Sequence, residues 1–106
     1  MSASRIIIGD AERLPNIHPG EILREDFLIG SEIPVAEVAA GAGIAFDKLE
    51  ALLDEHAPID AESALRLARY FGMDESFFLG LQNDYDLEEA RLAYRADLDR
   101  IVRRAA

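Results

Sequence analysis

Apolar residues recur at helical spacing along most of this chain, yet from residue 18 to residue 72 glycine or proline closes each run within about three turns. His18-Pro19-Gly20-Glu21 reads as a helix start, because proline suits the first helical position and Glu21 falls where a capping carboxylate sits. Ile22, Leu23, Phe27 and Leu28 continue that helix, and Gly30 ends it. Pro34 opens a second helix with Val35, Val38 and Ala39 as apolar positions, and Gly41-Ala42-Gly43 reads as a turn. A third carries Leu49, Leu52 and Leu53 and stops at Ala57-Pro58. Asp60 caps a fourth, with Ala64, Leu65, Leu67, Ala68 and Phe71 largely inward and Gly72 as its stop. Asp74 is expected to cap a fifth helix holding Phe77, Phe78 and Leu81, and a last helix is expected from Asp84 or Asp86 almost to the end.

Six helices with short connections and no strand pattern in the body define an all-α fold. The second and third, two short helices joined by a glycine-containing turn, match a helix-turn-helix unit with Val38, Ala39, Ile44, Leu49 and Leu52 on its inner side. The chain divides into an arm or short strand over 1–16, a helix-turn-helix domain over 17–83 and a C-terminal helix over 84–106. In the arm, only Arg5 to Gly9 is β-prone.

Several functions are unsupported by the residue types present. With 106 residues the chain suits one domain, and the lack of cysteine removes disulfides and thiolate metal sites. His18 and His56 match no metal-ligand spacing, and His18 beside Pro19 reads as a cap. Asp84, Asp86, Glu88 and Glu89 read as acids at a helix N-terminus rather than a cation site. Ser63 and Ser76 have no histidine at a telling spacing, and no glycine-rich phosphate loop is present. The expectation is a non-enzyme without cofactor or metal. The longest uncharged apolar stretch, Val38 to Phe46, is half the length of a spanning helix, so a cytoplasmic protein without membrane contact is expected.

Three motifs in order resemble the HigA/VapI-type antitoxins, a branch of the lambda-repressor-like helix-turn-helix regulators. They are His18-Pro19-Gly20-Glu21-Ile22-Leu23, the fourth-helix run Ala64 to Gly72, and Phe77-Phe78-Leu79-Gly80-Leu81-Gln82-Asn83-Asp84-Tyr85-Asp86-Leu87. The resemblance covers residues 17 to about 90. It implies a repressor-like core of five helices, here followed by the C-terminal helix. It also implies a homodimer, an RNA-cleaving toxin as partner, and repression of its own operon by operator binding.

The same resemblance places candidate DNA contacts at Val35, Phe46, Asp47, Lys48 and Glu50. These residues suit DNA poorly. Val35 cannot hydrogen-bond a phosphate or a base edge, and the family's usual glutamine there is missing. Asp47, Glu50, Asp54 and Glu55 surround Lys48, and Asp54-Glu55 stands where the family commonly has asparagine-glycine. The net charge is −10, and residues 31–63 hold eight acidic residues against one basic. Since phosphate contacts supply most DNA affinity, that segment is electrostatically wrong for it. The acids are either a solvated face or a surface that meets a basic toxin. A stand-alone regulator without toxin, or a helix-turn-helix turned wholly to protein contact, remains an alternative. Leu87, Tyr94, Leu98 and Ile101 recur near heptad spacing, and are read as dimer contacts unless that helix packs back on its own core.

Overall fold

The structure, a computed structural model, describes residues 15–105. Residues 1–14 of the proposed arm over 1–16, including its β-prone stretch 5–9, lie outside them. Among the described residues every regular element is helical: α1 (Pro19–Ile22), running on into a π-helical stretch (Leu23–Ile29), then α2 (Val35–Ala42), α3 (Phe46–Leu53), α4 (Ala61–Phe71), α5 (Phe77–Ala93) and α6 (Arg95–Asp99). This is the expected all-α helix-turn-helix fold.

The start signals act as capping chemistry requires. His18 sits in extended backbone and its Nδ1 accepts the Gly20 N–H at 2.9 Å. Asp60 does the same for α4, its Oδ1 accepting from the Ser63 N–H at 2.8 Å. Gly20 is also a packing device. A methyl placed there would run into the Leu52 carbonyl, so glycine lets α1 lie directly on α3.

Four helix ends, those before α2, α3, α4 and α5, share one geometry. A left-handed residue follows the last turn, and the next N–H reaches back five residues: Ile33 to Leu28 at 2.9 Å, Ile44 to Ala39 at 3.0 Å, His56 to Ala51 at 2.8 Å and Met73 to Ala68 at 2.8 Å. Glycine holds the left-handed position at Gly43 (φ 72°) and Gly72 (φ 70°), but glutamate holds it at Glu32 (φ 56°) and Glu55 (φ 66°). A side chain there costs about 1–2 kcal/mol.

Leu23, Val38, Ala39, Ile44, Leu49, Leu52, Leu67 and Phe78 form the buried centre, so the inner face read from the second and third helices is the one that packs. Phe27 lies 5.0 Å from Phe71 and 5.2 Å from Phe78, centroid to centroid, closing the core between the first helix, α4 and α5. Gln82, only 5% exposed, accepts the Ile59 N–H on its Oε1 at 2.8 Å and donates from Nε2 to Asp86 at 2.9 Å. It thereby pins the α3–α4 connection to α5.

Five expectations change, the first at Leu65, which is 43% exposed on α4 rather than inward. Leu23–Ile29 winds with hydrogen bonds reaching five residues back, as in Gly30 N–H to Glu25 O at 2.9 Å, which brings Leu23 and Leu28 into the core together. The Gly41-Ala42 pair stays inside α2, and the turn begins only at Gly43. Asp74 is not the cap of α5. Its carbonyl accepts the Phe77 N–H in a turn before the helix, and Ser76 occupies the cap position.

Lastly, no helix starts near residue 84. Helix α5 is continuous through it, breaks at Tyr94, and ends as the short α6 before the non-helical residues 100–105. Asp84, Asp86, Glu88 and Glu89 are therefore within α5 and not at its start, and side-chain bonds engage three of them. Asp86 bonds Gln82, Glu88 pairs with Arg91 at 3.1 Å, and Glu89 accepts from Asn16 at 3.0 Å.

Candidate nucleic-acid interface

Helix α3 follows α2 after the turn 43–45, whose Ile44 side chain is buried and ties the two helices together. Ala45 at the cap position of α3 makes no side-chain hydrogen bond, and Asp47 places a carboxylate in the first turn, where the helix dipole favours it. Leu49, Leu52 and Leu53 face the core. Phe46, Asp47, Lys48, Glu50, Asp54 and Glu55 are exposed.

Lys48 is paired rather than extended toward solvent alone. Its Nζ lies 2.8 Å from Asp60 Oδ2 at the start of α4. The pairing works both ways: the hydrogen bond to Asp60 raises the lysine's affinity for its proton. The Asp60 carboxyl is held down to about 2, first by the Lys48 hydrogen bond and then by the Ser63 N–H. The same carboxylate thus caps α4 with one oxygen and holds the lysine with the other.

The other acids divide between two environments. Glu55, strained at the left-handed end of α3, accepts from Arg24 Nη2 at 3.3 Å. Arg24 also donates from Nη1 to the Leu53 carbonyl and from Nε to Glu25 at 3.1 Å, so one guanidinium braces the whole C-terminal end of α3. Glu50 and Asp54, one turn apart, instead border a groove of about 580 Å³ between α3, the end of the first helix and the start of α2. Val35 lies half-buried in the same groove, so the structure joins Val35 with Glu50 but sends Lys48 to the opposite side, toward α4. Glu32 also borders the groove, and no sequence signal marked it.

At the C-terminal end Leu87, Tyr94, Leu98 and Ile101 are all exposed, Tyr94 by 58% and Ile101 by 70%, with Leu92 and Val102 beside them. They do not pack back onto the core of their own chain. Among the described residues no group of three or more His, Asp or Glu could hold a metal ion, and no helix is long and apolar enough to cross a membrane.

The fold and the placement of α2 and α3 define a helix-turn-helix regulator. No family model matches the chain. It is 39% identical over 77 residues to Virulence-associated protein I of Dichelobacter nodosus, covering 73% of this chain and 71% of that one. Among solved structures it superposes on the Pseudomonas aeruginosa antitoxin HigA with the higBA promoter, with a TM-score of 0.78, 32% identity, and 87% of this chain and 100% of that one covered. The same score and identity hold for a HigA-family addiction-module antidote protein of Coxiella burnetii, again over 87% and 100% of the two chains. Antitoxin GraA in complex with its operator gives a TM-score of 0.78 at 32% identity over 90% of this chain and 96% of GraA. The chain belongs to the HigA/VapI-type antitoxin family of helix-turn-helix regulators.

Proposed function

We propose that this chain is an antitoxin-type regulator whose α3 face engages a basic, RNA-cleaving toxin and grips operator phosphates only weakly. The observation that carries this reading is the Lys48–Asp60 pair, which leaves α3 with exposed carboxylates and no unpaired cation. An enzyme that cleaves RNA must bind phosphates and so presents positive charge, which an acidic surface complements. Through the same logic the acids repel a DNA backbone. In this reading the chain works as a homodimer, with Leu87, Tyr94, Leu98 and Ile101 covered by a second copy, since such apolar side chains gain from leaving water.

A second reading, operator binding by this chain, is favoured by the HigA–promoter and GraA–operator complexes. The decisive experiment for the first reads the frames flanking this chain's own and takes a small basic protein encoded there as the binding partner; the absence of one contradicts the toxin reading. The wild type should bind it, and the triple variant Asp47→Asn, Glu50→Gln, Asp54→Asn should bind at least tenfold more weakly. Equal binding by the triple variant contradicts the acidic-face reading.

A further inference from the structure

The groove beside α3 has two properties that do not suit a nucleic acid. Its floor and wall are apolar, built from Leu28, Ile33, Pro34, Val35 and Leu53, and Ile29 stands at its edge 58% exposed. Its rim carries Glu32, Glu50 and Asp54, none of which has an ion-pair partner among the described residues. The one cation on the lining, Arg24, is already bound to Glu25, Glu55 and the Leu53 carbonyl. The surface therefore has an apolar socket within an uncompensated negative rim.

We infer that this groove is a docking site for a protein segment that presents one or two large apolar side chains flanked by lysine or arginine. The occupant is argued from complementarity on both counts. An apolar anchor would cover Ile29 and Val35, while flanking cations would meet Glu32 on one side and Glu50 and Asp54 on the other. A phosphate backbone supplies neither the anchor nor the charge. Glu32 gains a role in this arrangement: its left-handed backbone at the end of the first helix sets a carboxylate on the rim despite the strain. This inference deepens the toxin reading by naming where on the acidic face the partner's anchor sits, and it rests on that reading for the partner's identity.

The test follows backbone amide signals of the full isotope-labelled chain during titration with two peptides. One is Lys-Arg-Leu-Phe-Arg-Lys, and the other, Lys-Arg-Gly-Ser-Arg-Lys, keeps the charge and drops the anchor. The expected result is saturable shifts centred on Ile29, Ile33, Val35 and Leu53, at least tenfold tighter for the first peptide. Ile29→Ser, at a side chain 58% exposed, should remove that difference, and Glu32→Gln with Glu50→Gln should weaken both peptides. Equal affinity for the two peptides, or shifts scattered over the surface, overturns the inference. Groove signals that move on dilution without peptide also overturn it, because a second copy of the chain is then the occupant. The two readings fail separately. Toxin binding unaffected by Ile29→Ser refutes the groove alone, whereas groove-centred peptide binding by a chain that ignores the toxin refutes the toxin reading alone.

Discussion

Lys48 and Asp60 stand twelve residues apart in sequence and 2.8 Å apart in space, and their contact decides the electrostatics of α3. Asp60 caps α4 in any case, because Ser63 N–H needs an acceptor. Its second oxygen then pairs with the single cation that α3 offers, at the half-exposed surface between α3 and α4.

Asp60→Asn separates these two roles. Asparagine caps as well as aspartate, so stability should change little, whereas Asp60→Ala should cost about 1 kcal/mol. Asparagine would also release Lys48, and the salt dependence of DNA binding should steepen by about 0.9 in log–log slope, one phosphate's share. Thermal melts with DNA titrations at several salt concentrations check both halves.

Acid should weaken the fold through the same carboxylate. Asp60 is depressed from its ordinary value to about 2, so its contribution is complete above the unfolded-state value near 4 and is lost as pH falls toward 2. Because the pair is half exposed the effect is modest. Melting temperature measured from pH 5 to pH 2 should fall less steeply in Asp60→Asn than in the wild type.

The two left-handed glutamates should respond unequally to glycine. Glu32→Gly relieves backbone strain without breaking an ion pair and should stabilise by about 0.5–1 kcal/mol, after allowing for glycine's larger unfolded-state entropy. Glu55→Gly should gain less, since it also loses the contact with Arg24. Urea denaturation of both variants checks the ranking.

Gln82→Leu should destabilise by about 1–3 kcal/mol, because the buried Ile59 N–H would lose its acceptor. The loss should appear as faster hydrogen exchange at the Ile59 amide before it appears elsewhere.

Light scattering at tens of micromolar should give twice the 11.7 kDa chain mass, and Tyr94→Asp with Ile101→Asp should return it to one. A wild-type monomer contradicts the homodimer.

The parts of this molecule written in neighbouring residues were legible in advance. The His18 and Asp60 caps, the Gly43 turn and the Gly72 stop each depend on backbone groups a few positions away. The acidic character of α3 was equally plain. The continuous α5 was not, since Asp84 and Asp86 resemble a helix start and only the unbroken backbone from Phe77 to Ala93 shows them to lie within a helix. Nor could pattern reveal that Lys48 pairs with Asp60, that Glu32 sits where glycine is expected, or that Val35 and Glu50 share a groove. Each of those depends on how separate helices pack, and periodicity carries no record of it.

The most direct measurement is a titration of duplex DNA from upstream of this chain's own reading frame, followed by fluorescence anisotropy at 50 and 200 mM salt. The expected result for the unmodified protein is a dissociation constant no tighter than the non-specific range, about 10⁻⁵ M, with a shallow salt dependence. Nanomolar binding that collapses between the two salt concentrations would contradict the account, and would mean that cations outside α3 carry this protein onto DNA.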